Sequence, residues 1–427
     1  MVTNAAPGDF LSLGLGYNLA SLGYILPIAI TPTSCHKTTE ATHVQSSNRD
    51  VASIYTGDKS VILGGYHLAW VSCVWCWFRP LGNQITQWVN IIPNDGILHF
   101  FGLLGAEYLI PTNVESLSDV LTNRSYLFQK TSGLRRWTIQ FFGEEIVVQE
   151  GEKHKKNRKS FAQVFNQRQV DKLKPIISSK ATQIVNHLSE KCVNGDGKQS
   201  MPATLNLNKL TKLITLDVIG IVALGIDFNS ILGQNMEIID IFQCLFSAHD
   251  LKKSHFMWHN SAPSWLISMF PSKVDRQMED AHAKLKTRLK SLITEKATSF
   301  KSTDISKQDI LTQIACSKDF TPEEIVPQVV ITLAAGFEST AGTLAWTLYC
   351  VAANPEGGAA SRICMLTFLY GPRNRPGRAL SLAEIRRMTA RIIECFDIKT
   401  TSSVVPESSG WLSSAPAPDL CLTFSNE

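Results

Sequence analysis

The most constraining stretch of this sequence begins at Thr321. There TPEE supplies an N-cap threonine, a proline at the first helical position and, in Glu324, the acidic member of a capping box, which together start a helix. The run IVPQVVITLAAGFESTAGTLAWTLYCVAA then continues with Pro327 as its one proline, early enough to be tolerated. About 32 residues at about 1.5 Å each predict a helix on the order of 48 Å long, enough to cross a whole domain. A chain organised round such an element is expected to be dominated by helices.

The middle of this helix is unusual for an apolar segment, because Gly336, Glu338, Ser339 and Thr340 fall together. Glycine costs about 1 kcal/mol relative to alanine in a helix interior. An unpaired buried carboxylate is strongly disfavoured. Hydroxyls that bond back to the preceding turn open a helix, so the cluster reads as a polar notch for water, oxygen or a proton relay. The plainer reading is a packing notch, with Glu338 reaching solvent or an arginine.

Composition narrows the alternatives. The chain has 427 residues, of which 44% are hydrophobic, with 41 Lys+Arg against 37 Asp+Glu. At a mean hydropathy of +0.01 it is too apolar and too weakly charged to be disordered. A net charge of +4 is small for this length and argues against nucleic acid as a partner. Ten cysteines are scattered without a repeated spacing, as expected of reduced thiols facing cytosol or lipid. The CxxC pair Cys73 and Cys76 lies in the apolar run VSCVWCWF, where free cysteine behaves as a small hydrophobe.

Phe10 to Ile30 carries no charge and is about as long as the ~20 residues a helix needs to cross a bilayer. Asn18, three glycines and Pro27 weaken it as a span, and a signal peptide or soluble loop is the alternative. A second apolar run, Val61 to Phe78, ends in Trp75, Trp77 and Arg79, residues suited to a membrane interface. Membrane attachment is therefore expected of residues 1–85, with one or two spans left open.

From residue 86 the pattern is that of a folded domain. GILHFFG and AEYLIP read as short strands around a turn, and VESLSDVLTN as a short amphipathic helix. KSFAQVFNQRQV and KPIISSKATQIVNHLSEKC read as two successive helices. KLTKLITLDVIGIVALGIDF is apolar nearly all round and predicts a buried helix, whereas SKVDRQMEDAHAKLKTRLKSLITEK has one charged face and predicts a surface helix. On its residues alone, KHKKNRK is a solvated or headgroup-facing basic stretch.

At these motifs the chain resembles the cytochrome P450 monooxygenases, in particular the membrane-bound fungal ones. AAGFEST, Ala334 to Thr340, is similar to the oxygen-groove sequence of that family's longest helix. The resemblance implies that Ser339 stands where the family usually has the threonine that hydrogen-bonds dioxygen. Glu338 is then its acidic neighbour in proton delivery, with Thr340 beside them. GEKHKKNRKSFAQVF is similar to the helix whose aromatic or His and, four residues on, Arg reach the heme propionates, here His154 and Arg158. The resemblance runs over roughly residues 90 to 400. It implies a fold that is mainly α with small β-sheets, a heme cofactor, and an ancestral hydroxylation or oxidation of a lipophilic small molecule in fungal secondary metabolism. It also implies dioxygen and electrons from an NADPH-cytochrome P450 reductase as co-reactants, and placement at the endoplasmic reticulum membrane with the main domain facing the cytosol.

Two departures qualify this. MLTFLYGPRNRPGRALSLAE aligns with the family's heme-ligand loop, F-x-x-G-x-R-x-C-x-G: Phe368, Gly371, Arg373 and Gly377 match, but Arg375 occupies the position of the iron-ligand cysteine. The thiolate donates electron density through iron and helps break the O–O bond. A guanidinium has no available lone pair and stays charged at any working pH. Cys364 and Tyr370 are misplaced for the role, and no histidine follows His282.

The second departure is a missing block. In the family, helices, a sheet and a Glu-x-x-Arg pair separate the oxygen-groove helix from the heme loop. Here the helix ends at Asn354-Pro355-Glu356 and the loop begins within a few residues. Glu384 to Arg387 has the Glu-x-x-Arg spacing but follows the loop, and reads as an i, i+3 ion pair on a surface helix.

The expectation is a fold incomplete between the two elements, exposing apolar surface and inactive as sequenced. Residues 86–356 form its N-terminal and central part, and 357–427 the truncated heme-loop part. The rival expectations are an active enzyme whose missing segment is a gene-model error, and a non-catalytic membrane-bound binding protein.

Overall fold

The computed structural model describes residues 94–101, 107–193, 201–246, 264–299, 322–354, 371–402 and 420–426, with short pieces between them at 88–89, 91–92, 254–256, 258–259, 309–310, 312, 404, 406, 408–409 and 415–416. Both candidate membrane segments, the Cys73–Cys76 pair, the junction 355–370 and with it Cys364, Phe368 and Tyr370 lie outside the described residues. The fold is predominantly helical with small sheets, as expected of the family. It divides into two compact units.

The first unit comprises the described residues up to Gly133 and residues 371–373. β1 (Ile97–Phe101) and β2 (Glu107–Pro111) pair antiparallel, Ile97 opposite Pro111 and Phe101 opposite Glu107, as the two apolar runs predict. α1 (Val114–Ser118) follows because Asn113 caps it, accepting from the Ser116 amide at 2.8 Å. The helix continues as a π-turn over Asp119–Asn123, so VESLSDVLTN is helical as expected, with a changed pitch in its second half. Within this unit the Arg373 guanidinium lies over the Tyr126 ring, 5.1 Å from its centroid.

The second unit holds the core. α2 (Ser132–Phe142) leads into it and buries Trp137, Phe141 and Phe142, with Trp137 edge-on to Phe256 at 5.3 Å. α3 (Gly151–Val164) and α4 (Gln167–Lys191) are two successive helices as expected, but the boundary lies earlier than the sequence suggests, since Gln167 to Val170 of the expected first helix open α4. The break falls at Asn166, whose side chain accepts from the Gln169 amide, and α4 runs through Pro175. After β3 (Ala203–Asn206), α5 (Leu207–Leu224) is buried along nearly its whole length and stops at Gly225, whose φ of +64° is the left-handed conformation glycine adopts without strain.

α6 (Met236–Phe246), α7 (Ser264–Met269) and the amphipathic α8 (Lys273–Ser299) lead to α9 (Pro322–Ala353), the 32-residue helix expected from the TPEE start signal. α9 packs chiefly on α5, and α10 (Arg378–Ile393) on α4. β4 (Phe396–Thr400), the two-residue pair β5 (Ser408–Ser409) and β6 (Ala415–Pro416), and β7 (Cys421–Asn426) complete the unit, with β7 between β3 and β4 in an antiparallel sheet.

Among the described residues, one helix is long and apolar enough to cross a membrane, Glu324–Ala353, and 67% of its most apolar window is buried inside the protein. It is the core of this unit.

Candidate functional site

The notch in α9 is first a packing device. A Cβ on Gly336 would lie 2.5 Å from Ile219 Cδ1 and 2.6 Å from its Cγ1, so only a hydrogen there lets α5 approach α9 this closely. Thr215 of α5 uses that closeness, its hydroxyl donating to the Phe337 carbonyl at 3.2 Å.

The neighbouring polar residues diverge. Glu338 and Thr340 are buried, and Ser339 is half-buried. The Ser339 hydroxyl donates to Ala335 O one turn earlier, at 2.5 Å, the back-bond its position predicts, yet α9 remains a continuous α-helix. Thr340 Oγ1 instead shares a 2.9 Å hydrogen bond with Ser381 Oγ of α10, fastening the notch to the helix that follows the arginine-bearing loop. Ser381 carries no motif signal; only the packing of α9 on α10 reveals it.

On α3, the i, i+4 spacing places His154 and Arg158 on one face, and His154 is buried. Asn157, also buried, donates to Gln149 Oε1 at 2.9 Å, whereas Lys155, Lys156 and Lys159 are, on the whole, turned to solvent. The basic stretch is therefore amphipathic rather than wholly solvated. Arg158 Nη2 donates to the side-chain oxygen of Asn374 at 2.5 Å and to its carbonyl at 3.1 Å. It thereby reaches the residue next to Arg375.

Arg375 lines a cavity of about 720 Å³ between α3, α4 and α10 together with Arg158, Lys174, Arg378, Arg386 and Arg387, and no carboxylate among the described residues lines it. Burial lowers the Arg375 guanidinium from its ordinary value. Like charges in a partly desolvated space repel, so such a cavity favours an anion over a cation.

Glu384 departs from expectation. It is buried rather than on a surface, with Oε2 enclosed and without a hydrogen-bond partner among the described residues, while Arg387 is exposed on the cavity side. Burial pushes its carboxyl well above the ordinary value, which favours the neutral acid. The surface ion pair gives way because α10 packs this position inward.

These residues do not fit a heme. Iron needs an axial donor, and the described loop residues, Gly371 to Gly377, offer no thiolate, imidazole or phenolate. Arg375, the residue that the resemblance sets at the ligand position, carries a guanidinium. Of the residues expected to serve heme, the second unit contains His154 and Arg158, Arg373 is engaged with Tyr126 in the first, and Phe368 lies outside the described residues.

Comparison with known proteins shows what the chain as a whole is similar to. The family described as Cytochrome P450 matches residues 101–362, ending before the loop at Gly371. The chain is similar to the cytochrome P450 monooxygenase ALT8 of Alternaria alternata, 26% identical over 301 residues, 65% of this chain and 50% of that protein. It is similar to FUM15 of Gibberella moniliformis, 26% identical over 285 residues, covering 65% and 48%, and to FSL4 of Gibberella zeae, 25% identical over 379 residues, covering 84% and 66%. The chain thus spans about half the length of most of the curated relatives it matches.

Proposed function

The chain belongs to the cytochrome P450 family, and on that premise we propose that it descends from a fungal secondary-metabolite monooxygenase and does not itself catalyse oxygenation. The ancestor hydroxylated or oxidised a lipophilic small molecule with dioxygen and electrons from NADPH-cytochrome P450 reductase, attached to the endoplasmic reticulum membrane through residues 1–85. Glu338, Ser339 and Thr340 are the remnants of its oxygen and proton handling. His154, Arg158, Phe368 and Arg373 are the remnants of its heme site. Residues 86–356 correspond to the N-terminal and central part of that enzyme, and 357–427 to a shortened heme-loop part.

The observation that carries this reading is Arg375. A permanently charged guanidinium stands where the reaction requires an electron-rich anion, and it lines a cavity shared with five further cations. Supporting it is the short connection between Asn354 and Gly371, whose sequence holds no Glu-x-x-Arg.

The test is the carbon-monoxide difference spectrum of the reduced, purified chain. The expected result is no absorption of the thiolate-ligated type and no substrate oxygenation in the presence of reductase and NADPH. Either signal overturns the reading. The match of the family over the whole of α9 favours one second reading, an intact enzyme whose connecting exon is missing from this sequence. Transcript sequencing across codons 354 to 376 decides it: a segment supplying Glu-x-x-Arg and a loop cysteine restores an ordinary monooxygenase.

A further inference from the structure

Away from the groove and the loop, residues 254–256 and 258–259, α2 and the first turn of α8 meet around three buried side chains that the proposed ancestry does not use. His255, His259 and Asp275 are 7%, 0% and 4% exposed, and one donor atom from each lies within 4.8 Å of the others. The i, i+4 spacing of the histidines puts both imidazoles on one face, with ring centroids 4.3 Å apart. Asp275 Oδ1 lies 2.8 Å from His255 Nε2 and 2.9 Å from His259 Nε2.

The carboxylate is held ready for them. Ser272 and Asp275 form a reciprocal cap at the start of α8: the Ser272 amide and hydroxyl donate to Asp275 Oδ2 at 2.7 and 2.8 Å, and the Asp275 amide donates to Ser272 Oγ at 3.1 Å. That occupies Oδ2 and turns Oδ1 toward the imidazoles. Outer hydrogen bonds of this kind orient metal ligands.

His259 supplies the second, independent observation. Both of its ring nitrogens are enclosed; Nε2 faces Asp275 Oδ1 at 2.9 Å, and Nδ1 forms no hydrogen bond among the described residues. A buried ring nitrogen left without a partner, as Nδ1 is among the described residues, is a rare arrangement in a protein interior. Phe141 packs at 5.7 Å from the His255 ring and 5.9 Å from that of His259, giving the cluster an apolar wall.

We propose that His255, His259 and Asp275 are three ligands of a divalent zinc-class ion. Two imidazole nitrogens and one carboxylate oxygen form the borderline donor set that zinc takes, whereas calcium and magnesium call for oxygen donors. Three protein ligands leave the fourth tetrahedral position to water. Bonds of about 2.0–2.1 Å hold tetrahedral donors about 3.3 Å apart, so each imidazole moves away from Asp275 Oδ1 by about half an ångström to admit the ion. The ion then links His255 and His259 to the start of α8.

Two neighbours oppose it and limit the affinity. The Arg136 guanidinium donates to the His259 carbonyl and repels a cation. Trp137 Nε1 donates to His255 Nδ1 at 3.5 Å, a long hydrogen bond that breaks when metal on Nε2 leaves the proton on Nδ1.

The test is equilibrium dialysis of the full chain, purified in detergent and stripped with a chelator, against zinc chloride, with zinc-edge X-ray absorption on the loaded protein. One equivalent of zinc is expected, in a first shell of nitrogen and oxygen with the scattering signature of two imidazoles. Asp275→Asn, which keeps the cap, and His259→Gln are each expected to weaken binding by more than about 100-fold. The absorption spectrum of the unsubstituted chain needs no variant to fold. Absence of stoichiometric zinc overturns the proposal, and so does a sulfur shell, which reports capture by the ten cysteines. Neither readout depends on heme.

Discussion

Arg158 Nη2 holds Asn374 by two oxygens at once, the side-chain amide at 2.5 Å and the main-chain carbonyl at 3.1 Å. The arginine that family resemblance directs at a propionate is committed to the loop bearing Arg375. Hydrogen bonds from a charged donor contribute about 1.5–3 kcal/mol. Arg158→Ala is expected to cost about 2 kcal/mol in a denaturant titration, and Asn374→Ala less, since its carbonyl still accepts. A double-mutant cycle reading no coupling between the two would refute the contact.

Gly336→Ala forces a methyl into Ile219 of α5. Overpacking a tight core typically costs about 1–3 kcal/mol. That range is expected here by urea denaturation, and Ile219→Ala in the same chain should give part of it back. Full additivity of the two changes would mean that the helices do not touch at this point.

The buried ammonium of Lys180 faces two carboxylates, Asp227 at 2.7 Å and the fully buried Asp217 at 3.8 Å. Burial pushes the Asp217 carboxyl up, while bonds from Ser230 and the charge of Lys180 pull it back. Removing one partner of a buried pair typically costs about 3–5 kcal/mol. Lys180→Met should therefore lower thermal stability strongly, and adding Asp217→Asn should recover some of the loss, because the amide needs no countercharge.

His282 gives the acid side of the stability profile. Burial, and then the charge of Lys286, lower its imidazole below the ordinary 6.5. Between that value and the lower folded one, the unfolded chain binds a proton that the folded chain refuses, so stability is fully present above about pH 6.5 and is lost as pH falls toward the folded pKa. His187, lowered chiefly by burial, acts in the same direction. Denaturant midpoints at about pH 7.5, 6.5 and 5.5 should fall in that order, and His282→Gln should flatten the slope without abolishing it. An unchanged slope in the variant would exclude His282 as a source.

The long helix is legible because its cap, its proline and its apolar run all point to one answer, and α9 spans Pro322–Ala353 accordingly. The boundary between α3 and α4 is harder to place. Pro175 marks a break by local rules, but the side-chain cap of Asn166 starts α4 at Gln167, two turns earlier. The proline is then carried within a helix that packing on α10 holds together.

Glu384 escapes a local reading for a related reason. Charge and i, i+3 spacing suggest a surface pair, and only the packing of α10 shows which face is enclosed.

The helical class and the family can both be read along the chain, because helix signals, motif spacing and residue chemistry are local and travel with it. Which polar groups lose water, and whom they then face, is settled only when the chain packs. Arg158 meets Asn374, Thr340 meets Ser381, and two histidines close on Asp275, pairings that depend on elements far apart in sequence being brought within hydrogen-bond reach. Burial and contact are properties of the packed chain, and no local pattern encodes them.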